Sequence, residues 1–426
     1  MRSSLLALLF LLTCFSLSAQ SYTYYPTGDT TDVLTTTLPG TCMMGGASEH
    51  DNAMIWFLQR SGGGNILVIR ASGSDGYNDY LYSDLGVDVQ SVETIVFNNE
   101  SAAEDPFVLD RISKAEAIWM AGGDQWNYVD YWRDSPVGQL LQQHVSQKQA
   151  PIGGTSAGMA VLGGAYFSAQ NGTITSASAL SNPYASTLTI GFQDFLDLPF
   201  LTHTITDTHY DDPDRKGRHM AFLARMASDH GVLSRGIACD EYTAVCIDEN
   251  GVARVFGEYP TYDDNAYFLQ ANCEGPITPE TCESGVPLTW DRSQAAVKVY
   301  HVQGDWEGSK YLDLNDWNTG MGGFWEHWWV QNGALSESPA EAPDCASFLS
   351  ESHTSDLSRW IEYDPQFQSV HLFYPSSSFI VRDHLGRAVL SSRSPTTSLD
   401  SLPTGIYHIE IRTSQGPIGS FRIGVS

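Results

Sequence analysis

With 426 residues, 42% hydrophobic and 17% charged, the chain has room for two or three domains and is too apolar to be disordered. Its 22 Lys+Arg stand against 50 Asp+Glu, a net charge of −28, which disfavours nucleic acid and anionic membrane as partners. The same surface keeps the protein soluble and would draw in a cationic substrate, an attraction that salt weakens.

Residues 1–19 read as a secretory signal peptide: Arg2 gives a positive start, residues 5–12 are apolar, and Leu17-Ser18-Ala19 offers a small residue before the cut. Export would place the chain outside the cell or on an outer-membrane surface. It would also permit disulfides among Cys42, Cys239, Cys246, Cys273, Cys282 and Cys345. Cys273 and Cys282 bracket a short loop with Pro and Gly and form the expected pair. Cys239 and Cys246 sit in apolar runs that suit buried thiols equally well.

From about residue 36, apolar runs at 41–45, 65–70, 93–97, 115–120 and 150–153 alternate with helix-length segments. Continuous apolar strands between helices predict an α/β fold whose mostly parallel sheet is covered by helices on both faces. Sites in such sheets form beyond the carboxyl ends of the strands. Gly45-Gly46, Gly122-Gly123 and Gly153-Gly154 fall there. A helix is expected over 215–228, then a hairpin around Asn250-Gly251. Residues 260–345 read as irregular and rich in Trp, including Trp306, Trp317, Trp325, Trp328 and Trp329. Short strands from about 364 to the end predict a small C-terminal all-β sandwich. The expected division is a signal at 1–19, the α/β domain at 20–305, an aromatic-rich extension at 306–363 and the sandwich at 364–426.

Gly154-Thr155-Ser156-Ala157-Gly158 has the form of a nucleophile elbow, a strand turning sharply into a helix with the serine hydroxyl exposed at the bend. A serine hydroxyl needs a base within hydrogen-bond reach. Downstream, Asp207-Thr208-His209-Tyr210 ends one strand-like run, and Asp240-Glu241-Tyr242-Thr243-Ala244 follows another. His203 and His219 compete with His209 for the role of base, and Asp240 competes with Glu241 as its partner. His203, Asp207, His209, Asp211 and Asp212 cluster in sequence without the spacing of a zinc site, so no metal or other cofactor is expected.

These pieces, with Gly122-Gly123-Asp124-Gln125 and Arg215-Lys216-Gly217-Arg218, resemble in order and spacing the cyanophycinase and peptidase E family of serine peptidases. The resemblance spans about residues 36–300 and implies a class I glutamine amidotransferase-like fold. It implies Ser156 as nucleophile, His209 as proton relay, Glu241 as its orienting carboxylate, and the N–H groups of Gly123 and Ala157 as the oxyanion hole. It further implies Gln125, Asp207, Arg215 and Arg218 around a peptide substrate, a β-linked aspartyl peptide or cyanophycin, the poly-aspartate polymer bearing arginine side chains. Thr208, Tyr210 and Pro213 depart from the family pattern at positions tied to specificity. The rival expectations are an α-aspartyl dipeptidase and a catalytically silent binding protein on the same fold. Asp383-His384-Leu385-Gly386-Arg387 and Leu402-Pro403-Thr404-Gly405-Ile406-Tyr407 resemble the C-terminal sorting domain of type IX secretion, which implies that export machinery as a partner. A homodimer is left open.

Overall fold

The computed structural model describes residues 20–343 and, beyond them, 361–364, 369–372, 378–382, 387–392, 394, 396–399, 401–413 and 416–425. The expected signal peptide, Cys345 and positions 383–386 of the sorting motif lie outside the described residues. The chain divides into two units: Met1–Asn272 with Ile277–Ala342, and Cys273–Pro276 with Pro343–Ser426.

The first unit is α/β and is built on two sheets. The ten-stranded sheet runs, edge to edge, Tyr22–Gly28, Ser91–Phe97, Asn65–Arg70, Ala117–Met120, Ile152–Thr155, Gly40–Met44, Ala244–Asp248, Val252–Phe256, Lys310–Asp313 and Gly320–Met321. The five strands from Ser91–Phe97 to Gly40–Met44 are mutually parallel, and the flanking strands pair antiparallel. Ile66 and Val68 pack on one face with helix Asp51–Gln59. Leu67 and Ile69 pack on the other with helices Pro106–Lys114, Gln125–Trp132 and Pro136–Ser146. Alternate side chains of one β-branched run thus meet two apolar layers, as its unbroken hydrophobicity requires. Helix starts follow local chemistry: Asp105 accepts from Phe107 N with Pro106 at the first helical position, and Asp124 accepts from Trp126 N.

The eight-stranded sheet runs Ala334–Ala340, Phe324–Gln331, Val297–Gln303, Asn265–Ala271, Arg235–Cys239, Thr204–Asp207, Ala165–Phe167 and Ile190–Phe192. Its inner face shares a core with the first sheet through Ile237, Cys239, Ala266 and Phe268, and helix Lys216–His230 covers its outer face through Phe222, Leu223 and Met226. Residues 310–340 therefore depart from the irregular extension expected there. Lys310–Asp313 pairs with Val252–Phe256, and Phe324–Gln331 pairs with Val297–Gln303. Strand Phe324–Gln331 has aromatics on both faces, with Trp328 and Val330 buried and Phe324 exposed, so the alternation that marks a strand is blurred.

The second unit is all-β among its described residues. One antiparallel sheet holds Ile361–Asp364, Ser369–Leu372 and Thr396–Ser398. The other holds Ala388–Ser392, Ser378–Arg382, Gly405–Thr413 and Gly416–Val425. Cys273 is disulfide-bonded while Cys282 carries a free thiol, which overturns the expected Cys273–Cys282 pair. A short intervening loop brings two cysteines close along the chain without aligning their side chains.

Candidate active site

Strand Ile152–Thr155 ends in Ser156, whose φ of 50° and ψ of −113° turn the chain directly into the single helical turn Ala157–Ala160. Close packing on both sides makes the bend possible. A Cβ on Gly154 would come 2.6 Å from the Gly158 carbonyl carbon, and one on Gly158 would collide with the Met120 carbonyl. Both glycines of the motif are thus required by the approach of backbone to backbone. Ser156 N donates to Met44 O, tying the bend to strand Gly40–Met44, and Thr206 Oγ1 donates to Met159 O, tying the turn to strand Thr204–Asp207.

The two downstream motifs converge on this bend. Ser156 Oγ lies 2.8 Å from His209 Nε2, and His209 Nδ1 lies 2.5 Å from Glu241 Oε1. The serine, imidazole and carboxylate, far apart in the chain, form one hydrogen-bonded line. His209, with φ 46°, follows strand Thr204–Asp207 and donates its backbone N–H to Gly45 O. Its ring lies against Gly46, where any Cβ would overlap the imidazole. Glu241 follows strand Arg235–Cys239, and its backbone N–H donates to Asp211 Oδ1. Next to it, Tyr242 takes a φ of 61° and donates to Gly46 O.

The competing side chains lie elsewhere. Asp240 turns inward, where one carboxylate oxygen accepts from both the backbone and side-chain amides of Asn265. Burial is the main cause that pushes its pKa up to about 7; Asp211 and Asp263 add to the rise. His219 is fully buried, and burial pulls its pKa down to about 4. His203 stacks on Phe192.

The residues expected around the substrate divide. Arg218 Nε donates to Asp207 Oδ2 at 2.9 Å, and its Nη2 to Asp207 Oδ1, making a forked pair with both side chains no more than 5% exposed. Burial raises the Asp207 pKa, but Arg218 outweighs it and the net shift is downward. Asp207 and Arg218, both expected around the substrate, pair with each other in the interior. The helix that begins at Lys216 turns Arg218 onto the Phe167 and Phe222 rings, under strand Thr204–Asp207. Arg215 remains partly open. Its Nη1 donates to Thr208 O and stands 4.0 Å from Asp207, while burial and then the charge of Arg218 lower its pKa. Gln125 is also partly open, and its side-chain amide donates to Phe167 O.

Gly122 passes directly over the serine: a Cβ built on it would lie 3.6 Å from Ser156 Cβ. Tyr128 holds this strap from the adjacent helix, its hydroxyl bonding to the carbonyls of Ala121 and Gly122. Tyr128 and Gly46 escaped the reading of the sequence as supports of the site. Glycines at the strand end hinted at Gly46, whereas Tyr128 resembles any helical core aromatic. Glu49, also unforeseen, lies beside Thr155, accepts from the Tyr77 hydroxyl and has its pKa raised by burial. Among the described residues, no group of three His, Cys, Asp or Glu side chains is placed to hold a metal ion.

Residues 68–255 match the model of Peptidase family S51. Cyanophycinases from Synechococcus elongatus and Thermosynechococcus vestitus are each 26% identical over 206 residues, 47% of this chain and 59% of theirs. The chain thus spans about three-fifths of the length of these curated relatives. Among solved structures, a peptidase from an acI-B1 Actinobacterium matches 55% of this chain and 91% of its own at 15% identity, with a TM-score of 0.39. A putative peptidase E protein from Listeria monocytogenes matches 52% of this chain and 100% of its own at 11% identity, with a TM-score of 0.32.

Proposed function

From a chain whose segment 68–255 matches the S51 peptidases, we propose a serine peptidase that hydrolyses β-linked aspartyl peptides, with cyanophycin as its leading substrate. The observation that carries the reading is the line from Ser156 Oγ through both nitrogens of His209 to Glu241, at 2.8 and 2.5 Å. As Ser156 Oγ attacks the scissile carbonyl carbon, its proton passes to His209 Nε2. Glu241 holds the Nδ1 proton and balances the imidazolium that forms. The backbone N–H groups of Gly123 and Ala157 serve the oxyanion, whose charge peaks in the transition state. Collapse breaks the C–N bond, and Nε2 returns its proton to the leaving amine. Water then enters by the same relay, frees the carboxylate product and restores the serine.

Substrate choice falls to the partly open groups. Arg215 has a forked guanidinium suited to a substrate carboxylate, and Gln125 follows the Gly122-Gly123 strap in the chain. The sequence relatives named cyanophycinase support the β-aspartyl polymer. The acidic surface supports a substrate bearing cationic side chains. The apolar N-terminal run supports secretion, and the C-terminal motifs support passage through type IX machinery to the outside or the outer-membrane surface.

The test is purified full chain incubated with cyanophycin, with β-Asp-Arg release followed by mass spectrometry and Ser156→Ala as the control. Ala at this position adds no bulk, so the variant should fold and be silent. Turnover by Ser156→Ala at the wild-type rate would reject the nucleophile. Cleavage of α-linked Asp dipeptides without β-Asp-Arg release would move the substrate to the α-aspartyl class and leave the mechanism standing.

A further inference from the structure

Two buried thiols that the reaction does not use stand face to face beneath the site. Cys42 and Cys246 are 204 positions apart in the chain and lie opposite one another on adjacent antiparallel strands, with Sγ atoms 3.5 Å apart. Register defines their geometry. Gly45 N donates to Thr243 O, which marks that couple as hydrogen-bonded. Couples alternate along an antiparallel ladder, so three steps back Cys42 and Cys246 form a non-hydrogen-bonded couple. There the Cα atoms approach to about 4.5 Å and side chains converge, inside the roughly 4.4–6.8 Å that a disulfide spans.

We infer that Cys42 and Cys246 are a disulfide-forming pair, joined when the chain folds in an oxidising compartment. Cys273 is itself disulfide-bonded, so the chain already carries oxidised cysteine. Closing the bond to its length of about 2.05 Å asks each sulfur to move by less than about 1 Å through small side-chain torsions. Both residues are wholly buried, so exchange precedes final packing. One thiolate attacks an external disulfide and releases a thiol. The second cysteine then attacks the mixed disulfide and releases the other thiol. Two cysteine S–H groups are oxidised and one external disulfide is reduced, with both protons ending on the released thiols.

The bond has a consequence for the site above it. Strand Gly40–Met44 runs into Gly45 and Gly46, which take the His209 backbone N–H and back its ring. Strand Ala244–Asp248 follows directly from Glu241 through Thr243. A staple between these strands fixes the support of His209 against the source of Glu241.

The test refolds reduced full chain in a glutathione redox buffer, alkylates remaining thiols in denaturant and maps the peptides by mass spectrometry. The expected product links the Cys42 and Cys246 peptides while Cys239 and Cys282 are alkylated. Alkylation of both Cys42 and Cys246 in protein whose Cys273 is oxidised overturns the inference. As a second measurement, Cys42→Ala and Cys246→Ala should each melt lower than oxidised wild type, by on the order of 5 °C. That gap should narrow once wild type and variants alike have been reduced with dithiothreitol in denaturant and refolded under reducing conditions. An equal gap before and after reduction marks lost packing alone and also overturns it.

Discussion

Replacing Glu241 by Gln keeps the shape of the hydrogen-bonded line and removes its charge. In the proposed acyl transfer His209 becomes an imidazolium, and its Nδ1 lies 2.5 Å from Glu241 Oε1. Unit charges centred about 4 Å apart at an effective dielectric near 20 attract by about 4 kcal/mol. The side chains are 24% and 28% exposed, and solvent screening reduces this to about 2–3 kcal/mol, on the order of 30- to 150-fold in rate. The amide adds a second loss: its N–H can bond to Nδ1 and push the imidazole proton onto Nε2, where it can no longer accept from Ser156. Loss of the correct tautomer costs up to about 10⁴-fold in a comparable triad. The expected kcat for Glu241→Gln therefore lies about 10²- to 10⁴-fold below wild type, with KM little changed. Steady-state kinetics on the cleaved peptide measure this. The labelling rate with a fluorophosphonate isolates serine activation, and thermal melting verifies folding. A folded Glu241→Gln enzyme with more than a tenth of wild-type kcat would refute the assignment of the orienting carboxylate.

Asp240→Asn should leave catalysis near wild type and change the pH dependence of stability. With its pKa raised to about 7, Asp240 penalises the folded state as pH rises from the unfolded value of about 3.9 to about 7. Melting curves between pH 4 and 8 should show that part of the decline removed in the variant; an unchanged slope would assign it to other groups. Arg218→Met removes the forked partner of buried Asp207 and leaves it only the Thr208 N–H and the more distant Arg215, so denaturant titration should show a loss of about 3 kcal/mol, partly recovered on adding Asp207→Leu. Near-wild-type stability of Arg218→Met would place Asp207 in water. Gly46→Ala drives a methyl group into the His209 ring, and a displacement near 1 Å should lower kcat by about 10²-fold. Wild-type kcat in that variant would show that the ring has room to move.

Features written in consecutive residues were legible without coordinates. The run Asn65–Arg70 announces a strand buried on both faces, and Gly154 to Gly158 announces a sharp bend, because each depends on neighbours a few positions away. The Ser156, His209 and Glu241 motifs could be picked out one by one. Long-range pairing escaped. Phe324–Gln331 lies between Val297–Gln303 and Ala334–Ala340 in the sheet, and its aromatics hide the alternation that would have marked it as a strand.

The sequence alone determined the α/β alternation and the three motifs that meet at the serine, because backbone preference and side-chain chemistry are local properties. Tertiary structure decided how the charged groups of these motifs pair. Arg218 and Asp207 neutralise each other inside the protein, Arg215 stays partly open, and Asp240 turns away while Glu241 meets His209. Which partner a charge takes depends on residues brought close by folding, and the desolvation cost that enforces the choice exists only once a core has formed.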